Sequence, residues 1–145
     1  MLRRGEEQLA PTDDVIELTS ERAGETAVLM RSANPEFWGD MSAERIAASM
    51  NRNLWLGIIV GDRLVSVGNT FLTDFVSNIH TVVTHKSHRN RGYATSVVSA
   101  LVKEIPQTND LALIHVLKDN MPARRVYEKV GFTIYGNYLC GFAEM

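Results

Sequence analysis

The amino-acid sequence predicts a single mixed α/β layer with helices on both faces of its sheet. Three observations predict it. Short β-rich runs alternate with segments of helical period along most of the chain. Two apolar runs flank a Gly61–Asp62 turn. A strand, a basic glycine-containing loop and a strongly periodic helix follow one another between residues 77 and 105.

"VIEL", residues 15–18, reads as a short strand. Ser20 is placed to cap a helix through "ERAGETAVLMRSA", with Glu21 favourable in its first turn. "NPEFWGD", residues 34–40, reads as a loop with two exposed aromatics. Ser42 caps a second helix, "AERIAASM", on which Ile46, Ala47 and Met50 share one side. "LWLGIIV" and "RLVSVGNT" flank Gly61 and Asp62, a two-residue hairpin signal. "SNIHTVVT", residues 77–84, is the next strand. Ala94, Val97, Val98, Leu101, Val102 and Ile105 then recur at helical spacing, and Pro106 ends the run. "LALIHV", residues 111–116, reads as a buried strand. "NMPARRVYEKV", residues 120–130, reads as a helix with Pro122 in its first turn and Gly131 as its stop. "FTIYGNYLCGFAE" supplies two closing strands about Gly136. Residues 1–13 are polar and expected to fray, which leaves 14–145 as one domain.

A chain of 145 residues can bury a core without staples. Fifteen Lys and Arg against 17 Asp and Glu give a formal charge of -2, which opposes a general nucleic-acid coat but leaves room for a local basic pocket. Cys140 is the only cysteine, so no intrachain disulfide forms, and a reducing, cytoplasmic setting is expected. "MLRRGEEQLAPTDD" has no apolar stretch behind its arginines, and no run reaches the length of a membrane span, so neither a secretory signal nor a membrane partner is expected.

The chemistry concentrates in "HRNRGYAT", residues 88–95. Strand, basic glycine loop and helix is an anion-site layout, because free N–H groups at a helix start point outward and the helix dipole adds positive potential. Gly92 lets a ligand approach the backbone, Ala94 keeps the next turn small, and Arg89 and Arg91 supply forked donors for phosphate oxygens. The chain contains neither G-x-x-x-x-G-K-[ST] nor G-x-G-x-x-G, which removes a Walker-type loop and the dinucleotide fingerprint.

"VVTHKSHRNRGYATSVVSALVKEI" resembles the pyrophosphate-binding segment of the GNAT superfamily of acyl-CoA-dependent N-acetyltransferases. The signature of that segment is [Gln/Arg]-x-x-Gly-x-[Gly/Ala] between a strand and a helix. A second block, "NMPARRVYEKVGF", resembles the family's Asn…Ala…Tyr-x-x-x-Gly-Phe segment. The N-terminal third agrees with the family in element order alone. The resemblance implies a single-domain GNAT-like fold with a mixed, mostly antiparallel, splayed sheet. It implies acetyl-CoA as acyl donor, an amine acceptor that attacks the thioester directly, and no metal. It implies that the backbone of Val82, Val83 and Thr84 pairs with the pantetheine arm, and that Arg89, Asn90, Arg91, Gly92, Tyr93, Ala94 and Thr95 wrap the pyrophosphate. Asn120 would sit beside the pantetheine or thioester, and Tyr127 near the CoA sulfur as general acid. Phe37, Trp38 and Asp40 would form one wall of the acceptor site. Many members carry a glutamate near position 78 that helps deprotonate the amine; Asn78 stands there in this chain and cannot be a base.

Each residue also has a structural reading. Tyr127 follows Ala123 by one helical turn and can simply fill the core. Asn120 can be an N-cap. Strand alternation puts Asn78, His80, Val82 and Thr84 on one face, so His80 is either the replacement base or a histidine satisfied within the sheet. His85 and His88 lack a nearby cysteine or acid, which favours a lip of the phosphate pocket over a metal site. Cys140 reads as a small buried hydrophobe. Two rivals remain: a non-enzymatic acyl-CoA sensor, and a nucleic-acid binder using residues 85–91. The acceptor's identity, the acyl-chain preference and a homodimer are left open.

Overall fold

Alternating strand patterns and the hairpin turn build a sheet that has six strands among the described residues. The computed structural model describes residues 2–4, 14–71, 76–104, 111–114, 116 and 119–132. The chain runs through β1 (Leu2–Arg4), β2 (Val15–Glu17), α1 (Ala23–Ala33), α2 (Pro35–Trp38), α3 (Ala43–Met50), β3 (Leu54–Val60), β4 (Arg63–Phe71), β5 (Val76–Thr84), α4 (Tyr93–Lys103), β6 (Leu111–Ile114) and α5 (Met121–Val130). The sheet order is β1-β6-β5-β4-β3-β2, antiparallel throughout except between β5 and β6. Gly61 and Asp62 both take positive φ, at 54° and 64°, as a twisted two-residue hairpin turn requires.

Helices cover both faces, and each face has its own core. Val97, Val98 and Leu101 of α4 and Val130 of α5 pack with Leu56, Ile58, Val65, Ile79 and Ile114. Ala27 and Met30 of α1 and Ile46 of α3 pack with Trp55, Leu64, Val67 and Val83. Burying a large aliphatic side chain contributes about 1.5–3 kcal/mol, so these two layers hold the sheet between them. Gly68 marks a close approach of helix to sheet: a Cβ there would lie 2.9 Å from both Leu101 Cδ1 and Val97 Cγ1, so α4 rests directly on the sheet.

Local expectations hold at Ser42, whose Oγ accepts the Arg45 N–H at 3.3 Å, and at Gly131, which ends α5 at φ 106°. Others need correction. Ser20 is not a cap; it opens a 3-10 turn, Ser20–Arg22, in which the Arg22 N–H reaches Thr19 O at 2.9 Å before α1 begins. Residues 34–40 are not all loop. Asn34 Oδ1 accepts the Phe37 N–H at 3.2 Å and Pro35 presets the first helical φ, which is enough for the single turn α2. Leu2–Arg4, within the segment expected to fray, pairs with β6. α4 stops at Lys103, ahead of Ile105 and Pro106, which lie outside the described residues, as do the closing strands about Gly136 and Cys140. Among the described residues no helix is long and apolar enough to cross a membrane.

Candidate active site

The start of α4 is an open, uncapped cradle. Gly92 occupies its N-cap position at φ 83°, and no side chain caps the helix. No acidic residue stands in the first turn. The first intrahelical bond, from the Ser96 N–H to Gly92 O, is 3.0 Å, which leaves the earlier N–H groups facing outward. A Cβ built on Gly92 would meet nothing within 4 Å, so the space before the backbone is free for a ligand. Asn90, at φ 64°, supplies the preceding sharp bend. Arg91 is exposed. Arg89 is partly committed to the fold: its Nε donates to Thr84 O at 3.2 Å, and Nη2 comes within 3.5 Å of Ala33 O at the end of α1. That places the C-terminal end of α1 beside the loop.

β5 leads into this cradle and carries a bulge. Asn69 faces Thr81 and Thr70 faces Ile79, so His80 is the extra residue. The bulge corrects the expected face assignment. Ile79 and Val82 both pack against the core under α4, whereas Val83 belongs to the opposite core. Alternation is therefore interrupted at His80, and Asn78 lies on the face opposite Val82 and Thr84. The described parallel pairing with β6 runs from Val76 to Ile79. The Thr81 N–H at the bulge is satisfied by the buried Asn69, whose Oδ1 accepts it at 2.8 Å. Thr70 Oγ1 donates to Asn78 O at 2.6 Å. The Asn78 side-chain oxygen is buried and has no hydrogen-bond partner among the described residues. His80 is exposed.

α5 brings the second block into place. Asn120 caps it, with Oδ1 accepting the Ala123 N–H at 3.3 Å. Tyr127 is 7% exposed, belongs to the core under α4, and meets Phe132 edge-on at 6.2 Å between ring centroids. Burial pushes its phenol up to about 12. Phe37 is 58% exposed on α2 and meets the half-buried Trp38 in a T-shaped pair at 4.5 Å, with Asp40 exposed beyond them. Arg31 Nη1 donates to Met41 O at 2.7 Å and ties this segment to α1.

Around His85 and His88, as elsewhere among the described residues, no group of three His, Cys, Asp or Glu stands where it could hold a metal ion. Both rings instead share Ser87 Oγ, at 2.7 Å and 2.8 Å from their Nδ1 atoms. An open depression of about 400 Å³ lies behind the loop, lined in part by Glu25, Val28, Asp62, Arg63 and His85, and so away from the α4 cradle.

Residues 55–140 match the model of the FR47-like protein family. The chain belongs to the FR47-like family of the GNAT superfamily. Its fold is shared with a GNAT-family protein from Novosphingobium aromaticivorans: TM-score 0.72 and 17% identity, over 91% of this chain. The chain spans only 58% of the length of that protein. A PaiA N-acetyltransferase from Thermoplasma acidophilum, solved with coenzyme A, is similar at TM-score 0.76 and 13% identity, over 86% of this chain and 91% of that one. A ribosomal-protein-alanine N-acetyltransferase from Brucella melitensis is similar at TM-score 0.66 and 17% identity, over 89% and 98%. No curated protein matches the chain.

For this GNAT member, sequence reasoning missed Asn69 and Arg63. Asn69 lies within a run that reads as ordinary strand, and its importance depends on a cross-strand register that periodicity does not carry. Arg63 follows the hairpin turn and meets His85, 22 residues later, at 2.8 Å.

Proposed function

We propose that this chain is an acetyl-CoA-dependent N-acetyltransferase acting on a primary amine. The α4 cradle carries the reading: an uncapped helix start, Gly92 at positive φ with open space before it, and flanking arginines. The coenzyme A in the similar Thermoplasma protein supports it. Bound there, acetyl-CoA would supply an activated thioester. In this reading Arg89 to Thr95 hold the pyrophosphate, and the backbone of Val82, Val83 and Thr84 guides the pantetheine arm and steadies developing negative charge on the thioester oxygen. Asn120 flanks the arm. Phe37, Trp38, Asp40 and Asn78 border the acceptor.

The amine attacks as its neutral form, a C–N bond replaces the C–S bond, and the thiolate takes a proton from Tyr127 Oη. A phenol at about 12 keeps that proton throughout the neutral range. A thiolate is the weaker base in water, so the transfer depends on the leaving thiolate forming in the same desolvated space, which raises its proton affinity as well. The proton lost by the amine passes to His80, directly or through water. Much of the rate comes from holding two substrates in attack geometry. A domain 14–145, to whose sheet Leu2–Arg4 adds an edge strand, and a cytoplasmic setting belong to the same proposal, the latter from the lone Cys140.

A second reading, an acyl-CoA sensor without turnover, is favoured by Asn78 in place of an acid and by the burial of Tyr127. A screen of amines with acetyl-CoA, read as thiol release, separates the two. Thiol release with at least one amine supports the enzyme; calorimetric binding with no release across the panel supports the sensor; no binding removes both.

A further inference from the structure

The loop before Gly92 contains a polar chain that the acetyl-CoA reading does not use. Arg63 Nη2 lies 2.8 Å from His85 Nε2, His85 Nδ1 lies 2.7 Å from Ser87 Oγ, and Ser87 Oγ lies 2.8 Å from His88 Nδ1. A guanidinium can only donate. His85 Nε2 is therefore the acceptor, and the ring proton sits on Nδ1. That proton is donated to Ser87 Oγ, and the hydroxyl donates its own to His88 Nδ1. The Ser87 N–H also approaches His85 Nδ1, at 3.1 Å. The opposite tautomer would accept that contact but would aim Nε2–H at a guanidinium 2.8 Å away, which is the costlier conflict. An imidazolium at His85 carries a proton on Nε2 as well, and that nitrogen then faces the Arg63 guanidinium with no lone pair left to accept.

The backbone around this chain is anchored at its start. The His85 N–H donates to Val65 O at 2.7 Å, which ties the start of the loop to β4, and the His88 N–H donates to His85 O at 2.9 Å. Further along come the bends at Asn90 and Gly92 that form the cradle. The charged groups around His85 are mostly cations: Lys86 and Arg89 from the loop and Arg63 from β4, with the His88 ring beside them. Asp62 and Glu25 line the same depression, and Glu25 is paired with Arg22 at 3.3 Å. His88 in turn lies 6.2 Å, between ring centroids, from Tyr93, the first residue of α4.

We propose that Arg63 is a positioning residue that acts through His85 and Ser87 to hold the anion-binding loop in shape, and that protonation of His85 releases the loop and weakens its grip on a pyrophosphate. This inference rests on the acetyl-CoA reading above. Burial first, and then the Arg63 guanidinium, His88, Arg89 and Lys86, hold the His85 imidazole below its ordinary 6.5. An imidazole lowered in the ordered loop leaves that order intact above 6.5, and the order is lost progressively as the pH falls below it. The direction is diagnostic. Added positive charge on a basic loop should by itself tighten an anion in acid, whereas release of the chain loosens it.

The test has two arms. The first follows the histidine ring resonances of the ligand-free protein by NMR, in wild type and Arg63→Met. His85 is expected to titrate below the ordinary value and to rise when Arg63 is removed; a His85 value that Arg63→Met leaves unmoved overturns the proposal. The second measures binding of dephospho-CoA by calorimetry from about pH 7.5 to about pH 5.5, because the 3′-phosphate of CoA itself titrates near about 6. Wild-type affinity is expected to fall at least about fivefold in acid, the lower end of ordinary coupling between sites. In His85→Gln that fall should shrink to less than about twofold. Tighter wild-type binding in acid, or profiles that superimpose, overturns this inference and leaves the acetyl-CoA reading standing. No binding of acetyl-CoA or dephospho-CoA at neutral pH overturns that reading and this inference with it.

Discussion

Replacing Gly92 by glutamate and by glutamine separates backbone strain from charge at the α4 cradle. Both side chains must adopt φ 83°, and the left-handed region costs an L-residue about 1–2 kcal/mol. No atom lies within 4 Å of the added Cβ, so steric cost in the free protein adds nothing further. Both variants should therefore fold and melt about 2–8 °C below wild type. Only glutamate brings a charge to where the pyrophosphate is proposed to sit. A unit charge about 5 Å from a doubly charged group costs about 1.7 kcal/mol at a water-like dielectric of about 80, or roughly twentyfold in affinity, and more where water is excluded. Acetyl-CoA binding by calorimetry is the assay, with melting curves run beside it. Equal dissociation constants for the two variants, at equal stability, would refute the placement of the phosphates at this helix start.

Five further outcomes are expected. Tyr127→Phe should lower kcat by about 10²–10⁴-fold while leaving acetyl-CoA affinity nearly unchanged; kcat within about twofold, where chemistry limits turnover, removes Tyr127 as the acid. Because burial raises this phenol to about 12, the stability it contributes is complete below 10 and is lost as the pH climbs toward 12, so absorbance titration should show a late tyrosine component that Tyr127→Phe deletes. Ser99→Ala removes a buried hydroxyl that has no partner among the described residues, and should raise stability by about 1 kcal/mol in urea unfolding. Asn69→Ala leaves the Thr81 N–H at the bulge without its acceptor and should cost about 1–3 kcal/mol; a change within error would mean that the bulge is held by other contacts. His80→Gln should remove the histidine-range limb of the kcat/KM profile, after correction for the amine's own ionisation, without weakening acetyl-CoA binding; superimposable profiles leave a water chain or an already neutral amine.

Much of this protein was legible because local chemistry decides it. The hairpin at Gly61 and Asp62 needs two positive φ angles and has residues that accept them. Ser42, Asn120 and Gly131 stand where helix ends require a cap or a left-handed stop. The apolar stripe of α4 is periodic enough to name its buried residues, and the uncapped start at Gly92 follows from one glycine after a basic loop. These features depend on residues within a turn or two of one another. The rest depends on partners far away in sequence. His80 becomes a bulge only because β4 fixes the register around it, and that one extra residue carries Asn78 to the face opposite Val82. Arg63 and His85 meet only after the β3–β4 hairpin and β5 are assembled side by side. Tyr127 looks equally suited to packing and to chemistry in the sequence. Its burial, and with it the raised phenol, exists only once α5 has closed against the sheet, because desolvation belongs to the whole assembly and not to any one segment.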